Sequence, residues 1–542
     1  MDDEALRLRP LWPWIVLILL LCTAPYLAAG LLAPPGQRFS GSLVNHDDFS
    51  VYLSAMRQGR DGAWLFHFTF GPEPWQPRLM LLPYLLWGKL VRPAAETAVF
   101  WFHALRLLCV GAALAALLFW VRQALPGRPQ LQKTAWLFIT LGGGLGWLAN
   151  ILRPGSGALA PDLTMPEWTG FMALFHTPHF ALGLALQAVA LGCLLRLLRS
   201  ARPWRWAALG ALAALLDGLT YVYHVPVLGL VLGLFLLAHA VRQRRIPWRT
   251  WAHGGLIIAP LLPLLFYYAV SANQDPYFAH YARQEHVIPA PSVPGALVGW
   301  GLLALLALAG IRPWLRQRRP LLVPLWLAAN WLALYLPLVP YTGRFALGLF
   351  VPLATLAAVG LEERLLPWLR HTRFYARFAR LTPTPAASLR RVFLAAVVPT
   401  TLILPLWTAQ GALRATGFPY FLPAAEVAAM IWLGETTTAD ALVLAAYQSG
   451  NYLPRVAPGR VFAGQLDFTT DLPGKLAAID QFWDSQTPAA ARRALLAQWG
   501  ITHVYEGAFE QALMRGPVAP LGDIVYAQDG IRIWQVQVPE EE

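Results

Sequence analysis

Two adjacent carboxylates, Asp47 and Asp48, stand in the stretch NHDDFSVYLSAMRQG, a short way past the first long apolar run of the chain. A carboxylate partly withdrawn from water holds its proton to higher pH and can act as general base toward a hydroxyl. The competing reading is structural, with Asn45 or Asp47 as a helix N-cap and negative charge at the positive end of the helix that follows. A cap accounts for one aspartate more readily than for two. Phe49, Tyr52, Leu53 and Met56 recur at helical spacing, which predicts an amphipathic helix lying in a membrane interface. Such a helix would hold the pair at the depth of lipid headgroups. His46, beside the pair, could tune it, assist a metal, or be an ordinary loop histidine; the last is the simplest reading.

Other polar groups stand out against apolar surroundings. FHTPHF places His176 and His179, and YVYHVP places Tyr221, Tyr223 and His224, at the ends of apolar runs. Gathered on one side of a membrane they would build a polar pocket. Two histidines and two aspartates could also hold a divalent cation, although no fixed spacing demands one and no other cofactor is indicated. Arg344 lies in the tight turn PYTGRF between two apolar runs. A guanidinium there needs a partner: a lipid phosphate matches its paired N–H groups, and snorkelling to headgroups is the simpler alternative. Lys89 after LMLLPYLLWGK, and Arg78 before it, are further phosphate candidates.

These groups need a scaffold, and the composition says which kind. The chain of 542 residues is 57% hydrophobic and 13% charged, with mean hydropathy +0.47. A soluble domain carries about 25% charged residues, so this is an integral membrane protein. The net charge of +13 falls in arginine clusters between apolar runs. That pattern follows the positive-inside rule and does not point to nucleic acid. About eleven apolar runs, from 11–33 to 392–409, read as spans. Run 11–33 is too long for a cleaved signal and reads as the first span. Arginine-rich loops follow every second run, which puts them and the N-terminus in the cytoplasm. The aspartate loop and the C-terminal segment then lie outside. The expected location is a cell membrane, the inner or plasma membrane of a bacterium.

Two domains are expected: a transmembrane catalytic domain at 1–409, with first outer loop 34–97, and an extracytoplasmic α/β domain at 410–542. In the latter, ALVLAAY, RVFAG, THVYEG and GIRIWQVQV read as strands, with PGKLAAIDQFWD and PAAARRALLAQWG as helices between them. The three cysteines, all in apolar runs, read as small core residues. GGGLGW, at 142–147, reads as close helix packing within a span.

The pattern resembles the GT-C class of polytopic glycosyltransferases, in particular the protein O-mannosyltransferase and aminoarabinose transferase group. The residues that carry the likeness are Asp47 and Asp48 soon after the first span, FSVYLSAMRQGRDGAWLFHF, and the short RLMLLPYLLWGKL. The resemblance implies a mostly α fold with an outer C-terminal domain, and a sugar delivered on a polyprenyl phosphate to a hydroxyl of a glycan, lipid or protein acceptor. It further implies an aspartate as base, Asp48 before Asp47, inversion at the anomeric carbon, and Arg344, with Lys89 as a second candidate, on the departing phosphate. No WWD motif is present, so an oligosaccharyltransferase is not supported. The alternative is a flippase or transporter of lipid or lipid-linked sugar. It needs polar groups within spans, for which Asp217 and Asn330 are the candidates. A non-catalytic scaffold is a third reading.

Overall fold

The computed structural model describes residues 8–154, 160–284, 288–337 and 339–536; the leader ahead of Leu8 lies outside them. Five helices are by themselves long and apolar enough to cross a membrane: Arg9–Leu31, Ala95–Ala124, Pro178–Leu197, His224–Gln243 and Thr342–Arg370. Four further candidates are helix pairs bent at a short break, by 50° at Pro129–Leu141 + Gly146–Leu152, 40° at Trp248–Ile258 + Leu261–Gln274, 87° at Val293–Trp300 + Leu302–Arg316 and 42° at Pro385–Val397 + Pro399–Arg414. The described residues thus give five to nine candidate spans, and the expected count of about eleven is not confirmed. The difference falls on two runs. Pro203–Thr220 carries Arg205 and Asp217, and Leu322–Tyr335 has only 14 residues.

The breaks have local causes. GGGLGW does not continue a span, as expected, but ends one helix and opens the next. Asp162 accepts the freed Gly144 and Gly146 N–H groups at 3.1 and 3.2 Å, and the Thr400 hydroxyl at 2.8 Å. Backbone donors released at a kink inside an apolar region need such a partner. Close packing holds as well, since a Cβ on Gly144 would fall 2.3 Å from the Gly299 carbonyl oxygen.

The chain forms two compact units. One comprises Met1–Pro25, Leu105–Ala269 and His286–Trp407; the other comprises Tyr26–Ala104, Val270–Glu285 and Thr408–Glu542. The first consists of apolar helices. In the second, the segment that follows the first apolar helix and the C-terminal segment share one fold.

Strand β1 (Gln37–Phe39) pairs antiparallel with β2 (Phe421–Pro423). The larger sheet contains β3 (Leu442–Leu444), β4 (Arg460–Val461), β5 (His503–Glu506), β6 (Asp523–Gln528) and β7 (Ile531–Gln535), in the order β4-β3-β5-β7-β6. The first three strands are parallel, and β7 joins β5 and β6 antiparallel. Alternate residues point to opposite faces. Leu444, Val504 and Trp534 pack with Ile479 and Trp483 on one side; Val443, Tyr505 and Ile533 pack with Met430 and Leu433 on the other. The helices Leu472–Trp483 and Ala489–Trp499 correspond to the expected ones, the latter stopped by Gly500 at φ 65°. The helix Ala424–Thr436 and strand β6 were not expected.

Candidate active site

The paired aspartates lie in the first turn of the helix His46–Arg60, whose last turn carries Arg57 and Arg60. Acid at the N-terminus and base at the C-terminus suit the helix dipole. This helix is not the interfacial one expected, for Phe49 to Gly59 are all buried. On one side it meets the helix Leu82–Val91 at backbone distance: a Cβ on Gly59 would strike the Leu85 carbonyl, and one on Gly88 the Met56 carbonyl. Its polar residues are satisfied from the C-terminal segment. Arg455 donates from Nε to Ser50 Oγ (2.9 Å) and from Nη1 to the Ser40 carbonyl (2.8 Å), and Arg57 donates from Nε to the Pro454 carbonyl (3.1 Å). The shorter Leu82–Val91 helix keeps Leu86 and Leu90 exposed instead.

The carboxyl ends of the parallel strands β3 and β4 point toward the same edge of the sheet, where open α/β sheets place their sites. Just past β3, Tyr447 donates its hydroxyl to Asp47 Oδ2 at 3.2 Å. Beyond β4, Gln465 Nε2 donates to Asp48 Oδ1 at 2.9 Å, and Asn45 Nδ2 donates to Asp48 Oδ2 at 2.5 Å. Asp48 therefore has both oxygens engaged, while Asp47 keeps Oδ1 open. Among the described residues neither aspartate has an ion-pair partner. Burial raises the Asp47 carboxyl above its ordinary range; the Tyr447 hydroxyl and the Arg455 charge work against it, the Asp48 charge with it. Burial in turn pushes the Arg455 guanidinium down to about 10.

The remaining candidates of this unit are committed locally. His46 packs edge-on against Tyr420, ring centres 4.8 Å apart, and burial with the Arg455 charge pushes it down to about 4. Arg78 pairs through Nη2 with Asp275 Oδ2 at 3.0 Å, which ties the first outer loop to the 270–285 segment. Lys89 donates to the Gly62 carbonyl and sits 4.4 Å over the Trp64 ring.

In the helical unit a second polar cluster gathers Arg344, Tyr223, His224, His176 and His179. Arg344 occupies the 3-10 turn Thr342–Ala346 and donates from Nη1 to Glu167 Oε1 at 2.7 Å. Its partner is thus a protein carboxylate, which the sequence showed only as a loop acid. The backbone of the turn is clamped by side chains. The Tyr221 hydroxyl donates to the Arg344 carbonyl at 3.0 Å, and Asn330 Nδ2 to the Phe345 carbonyl at 2.7 Å. His224 Nε2 lies 3.3 Å from the Leu347 carbonyl, and its Nδ1 lies 2.8 Å from Asp217 Oδ1. Tyr223 lies under Arg344, its ring 6.0 Å from the guanidinium carbon. His179 stacks on Tyr221 at 6.3 Å, and His176 meets Phe180 edge-on at 5.5 Å. The Arg344 Nε is buried without a partner.

The four-ligand metal set suggested by the sequence does not form: among the described residues no three His, Cys, Asp or Glu gather as a metal site. Tyr447, Gln465, Arg455 and Glu167 escaped the sequence reading. Tyr447 and Gln465 are about 400 positions from the aspartates they bond, and Arg455 about as far from Ser50, with no local motif to mark them.

No family model matches the chain, and no curated protein does. Solved structures do. The oligosaccharyltransferase of Archaeoglobus fulgidus, tethered with an acceptor peptide containing the NVT sequon, aligns with TM-score 0.52 at 12% identity, over 91% of this chain and 69% of that one. The same organism's AglB, in complex with an inhibitory peptide and a dolichol-phosphate, aligns with TM-score 0.51 at 12% identity over the same shares. The chain has the fold of a GT-C glycosyltransferase. The aminoarabinose transferase ArnT from Cupriavidus metallidurans, in the apo state, aligns at TM-score 0.48 and 17% identity over 96% of this chain and 97% of that one. With this fold and its apolar helices, the chain is a multi-pass membrane protein.

Proposed function

We propose that the protein is a membrane glycosyltransferase that moves a sugar from a lipid-phosphate donor to an acceptor hydroxyl outside the cytoplasm, with Asp47 as general base. The observation that carries this reading is the asymmetry of the pair. Asp48 is saturated by two amide donors, whereas Asp47 has one oxygen held by Tyr447, no second hydrogen bond and no ion pair among the described residues, and a proton affinity raised by burial against the opposing charge of Arg455. A general base needs an open oxygen and a proton affinity above the ordinary carboxylate range, and the contacts and burial of Asp47 support both. The resemblance favoured Asp48; its contacts suit it to holding the turn.

In the reaction, the acceptor hydroxyl gives its proton to Asp47 Oδ1 as its oxygen attacks the anomeric carbon. The bond from that carbon to the phosphate oxygen breaks, the electron pair leaves with the lipid phosphate, and configuration inverts. Within the helical unit, Arg344 is a separate candidate for a phosphate anion, because a clamped guanidinium with an unpartnered Nε can meet a second anion beside Glu167. The similar AglB structure holds a dolichol-phosphate, which supports a donor of this chemistry. The transporter alternative loses its sequence support: Asp217 and Asn330, the intramembrane polar groups it required, are spent on holding the Arg344 turn.

The test is glycosyl transfer by purified protein in detergent, with a panel of polyprenyl-phosphate sugars and a cell-envelope acceptor extract. Transfer lost with Asp47→Asn and weakened with Arg344→Ala supports the assignment. Donor lipid that binds and crosses the bilayer in vesicles without transfer favours the flippase.

A further inference from the structure

Within the helical unit, the C-terminal ends of Ala95–Ala124 and Pro178–Leu197 and the segment following Leu302–Arg316 border a cavity of about 370 Å³. Its walls are both apolar (Leu125, Leu195, Leu198) and cationic (Arg128, Arg199, Arg319). Among the described residues, the one acid paired with these arginines is Glu363, which takes Arg319 Nη2 at 2.5 Å and lies 3.6 Å from Arg128 Nη1. Three guanidinium groups against one carboxylate leave two positive charges uncompensated. Capping of helix ends by basic side chains explains Arg199, whose Nη2 donates to the Gln123 carbonyl at 2.6 Å. It does not explain Arg319. That side chain is fixed over the Trp314 ring at 5.3 Å, is largely buried, and keeps Nη1 buried without a partner.

We propose that this cavity binds an anionic phospholipid, whose phosphate is held by Arg319 with Arg128 and Arg199 and whose glycerol and upper acyl segments lie on Leu125, Leu195 and Leu198. Guanidinium groups take phosphate oxygens in paired hydrogen bonds, and basic pockets between membrane helices on the arginine-rich side suit acidic headgroups. A free phosphate would use the arginines and leave the leucine walls wet. The lipid uses both. The site is separate from the Asp47 and Arg344 clusters and does not depend on their assignment.

The experiment measures lipid binding by native mass spectrometry and by melting temperature on delipidated protein in neutral detergent. The probes are phosphatidylglycerol, phosphatidylcholine and glycerol 3-phosphate. Phosphatidylglycerol is expected to bind at least about tenfold tighter than phosphatidylcholine, the equivalent of about 1.4 kcal/mol, and to raise the melting temperature; glycerol 3-phosphate should do neither. Arg319→Gln should abolish the preference. Leu198→Glu, at a half-buried wall position, provides an independent variant that puts a negative charge beside the phosphate, and should abolish it too. Each variant is required to melt in phosphatidylcholine as wild type does. Equal binding of the two lipids, or a preference that survives whichever of these variants folds, overturns the proposal. Glycerol 3-phosphate as effective as the lipid overturns the lipid as occupant.

Discussion

The two polar clusters treat charge in opposite ways. At the start of His46–Arg60, two carboxylates are held by neutral donors alone, from Tyr447, Gln465 and Asn45. In the helical unit, the Arg344 guanidinium meets a buried carboxylate, and its backbone is gripped by Tyr221, Asn330 and His224. A buried carboxylate with no direct ion pair retains much of its appetite for a proton, so the first arrangement suits acid–base work. A buried ion pair with a clamped backbone fixes direction and gives up part of its field, so the second suits orientation of an anion. The unequal neutralisation is what separates a reacting group from a positioning one here.

Substitutions can break this contrast, and the largest effect should come from Asp47→Asn. Loss of a general base costs about 10²–10⁴-fold in rate, and initial rates of transfer should fall in that range. Asp48→Asn removes one charge while preserving an amide-compatible network, and should cost about tenfold or less by the same assay, the size of one or two hydrogen bonds.

Next comes the ion pair. Arg344→Ala leaves Glu167 buried and unpaired, which costs about 3–5 kcal/mol of stability and should appear as a lower melting temperature. The double change Glu167→Leu with Arg344→Met should recover most of that stability without recovering donor affinity. Recovery of both would remove Arg344 from the site.

A smaller effect sharpens the first cluster. Tyr447→Phe deletes the hydroxyl that favours ionised Asp47, a hydrogen bond of about 0.5–1.5 kcal/mol. Its sign is fixed: the folded-state pKa of Asp47 is already raised, removal of the donor raises it further, and the rate is lost as pH falls through it. The acid limb of the pH–rate profile should therefore move to higher pH, which a purely structural tyrosine would not cause. Smallest of all, Lys89→Ala loses one hydrogen bond and a ring contact at a half-buried position, and should lower stability by about 1 kcal/mol or less while leaving transfer unchanged.

How much of this could be read from the sequence follows from the range of each interaction. Asp47 and Asp48 were visible because acids beside a long apolar run are conspicuous. The strands β3, β4, β5 and β7 were visible through their alternation and β-branched content. Gln465 and Tyr447 were not, because they reach the aspartates through a sheet topology that brings the first outer loop and the C-terminal segment into one unit. The buried state of His46–Arg60 was hidden for the same reason. Its apolar stripe looked like a lipid-facing surface, yet its polar face is capped by Arg455, about 400 residues later. The span count of about eleven is not confirmed because two apolar runs that read as spans form helices that are charge-bearing or short: Pro203–Thr220 carries Arg205 and Asp217, and Leu322–Tyr335 has 14 residues. Glu167 gave no signal of its own, since an acid in a loop is ordinary until an arginine is found against it.

The most direct measurement is the pH–rate profile of glycosyl transfer at saturating donor for wild type, Asp48→Asn and Asp47→Asn. The account predicts an acid limb above the ordinary aspartate range of about 4 in wild type. That limb should persist in Asp48→Asn and vanish with the activity in Asp47→Asn. A profile in which Asp47→Asn keeps wild-type rate and limb while Asp48→Asn loses both would contradict it and return the base to Asp48.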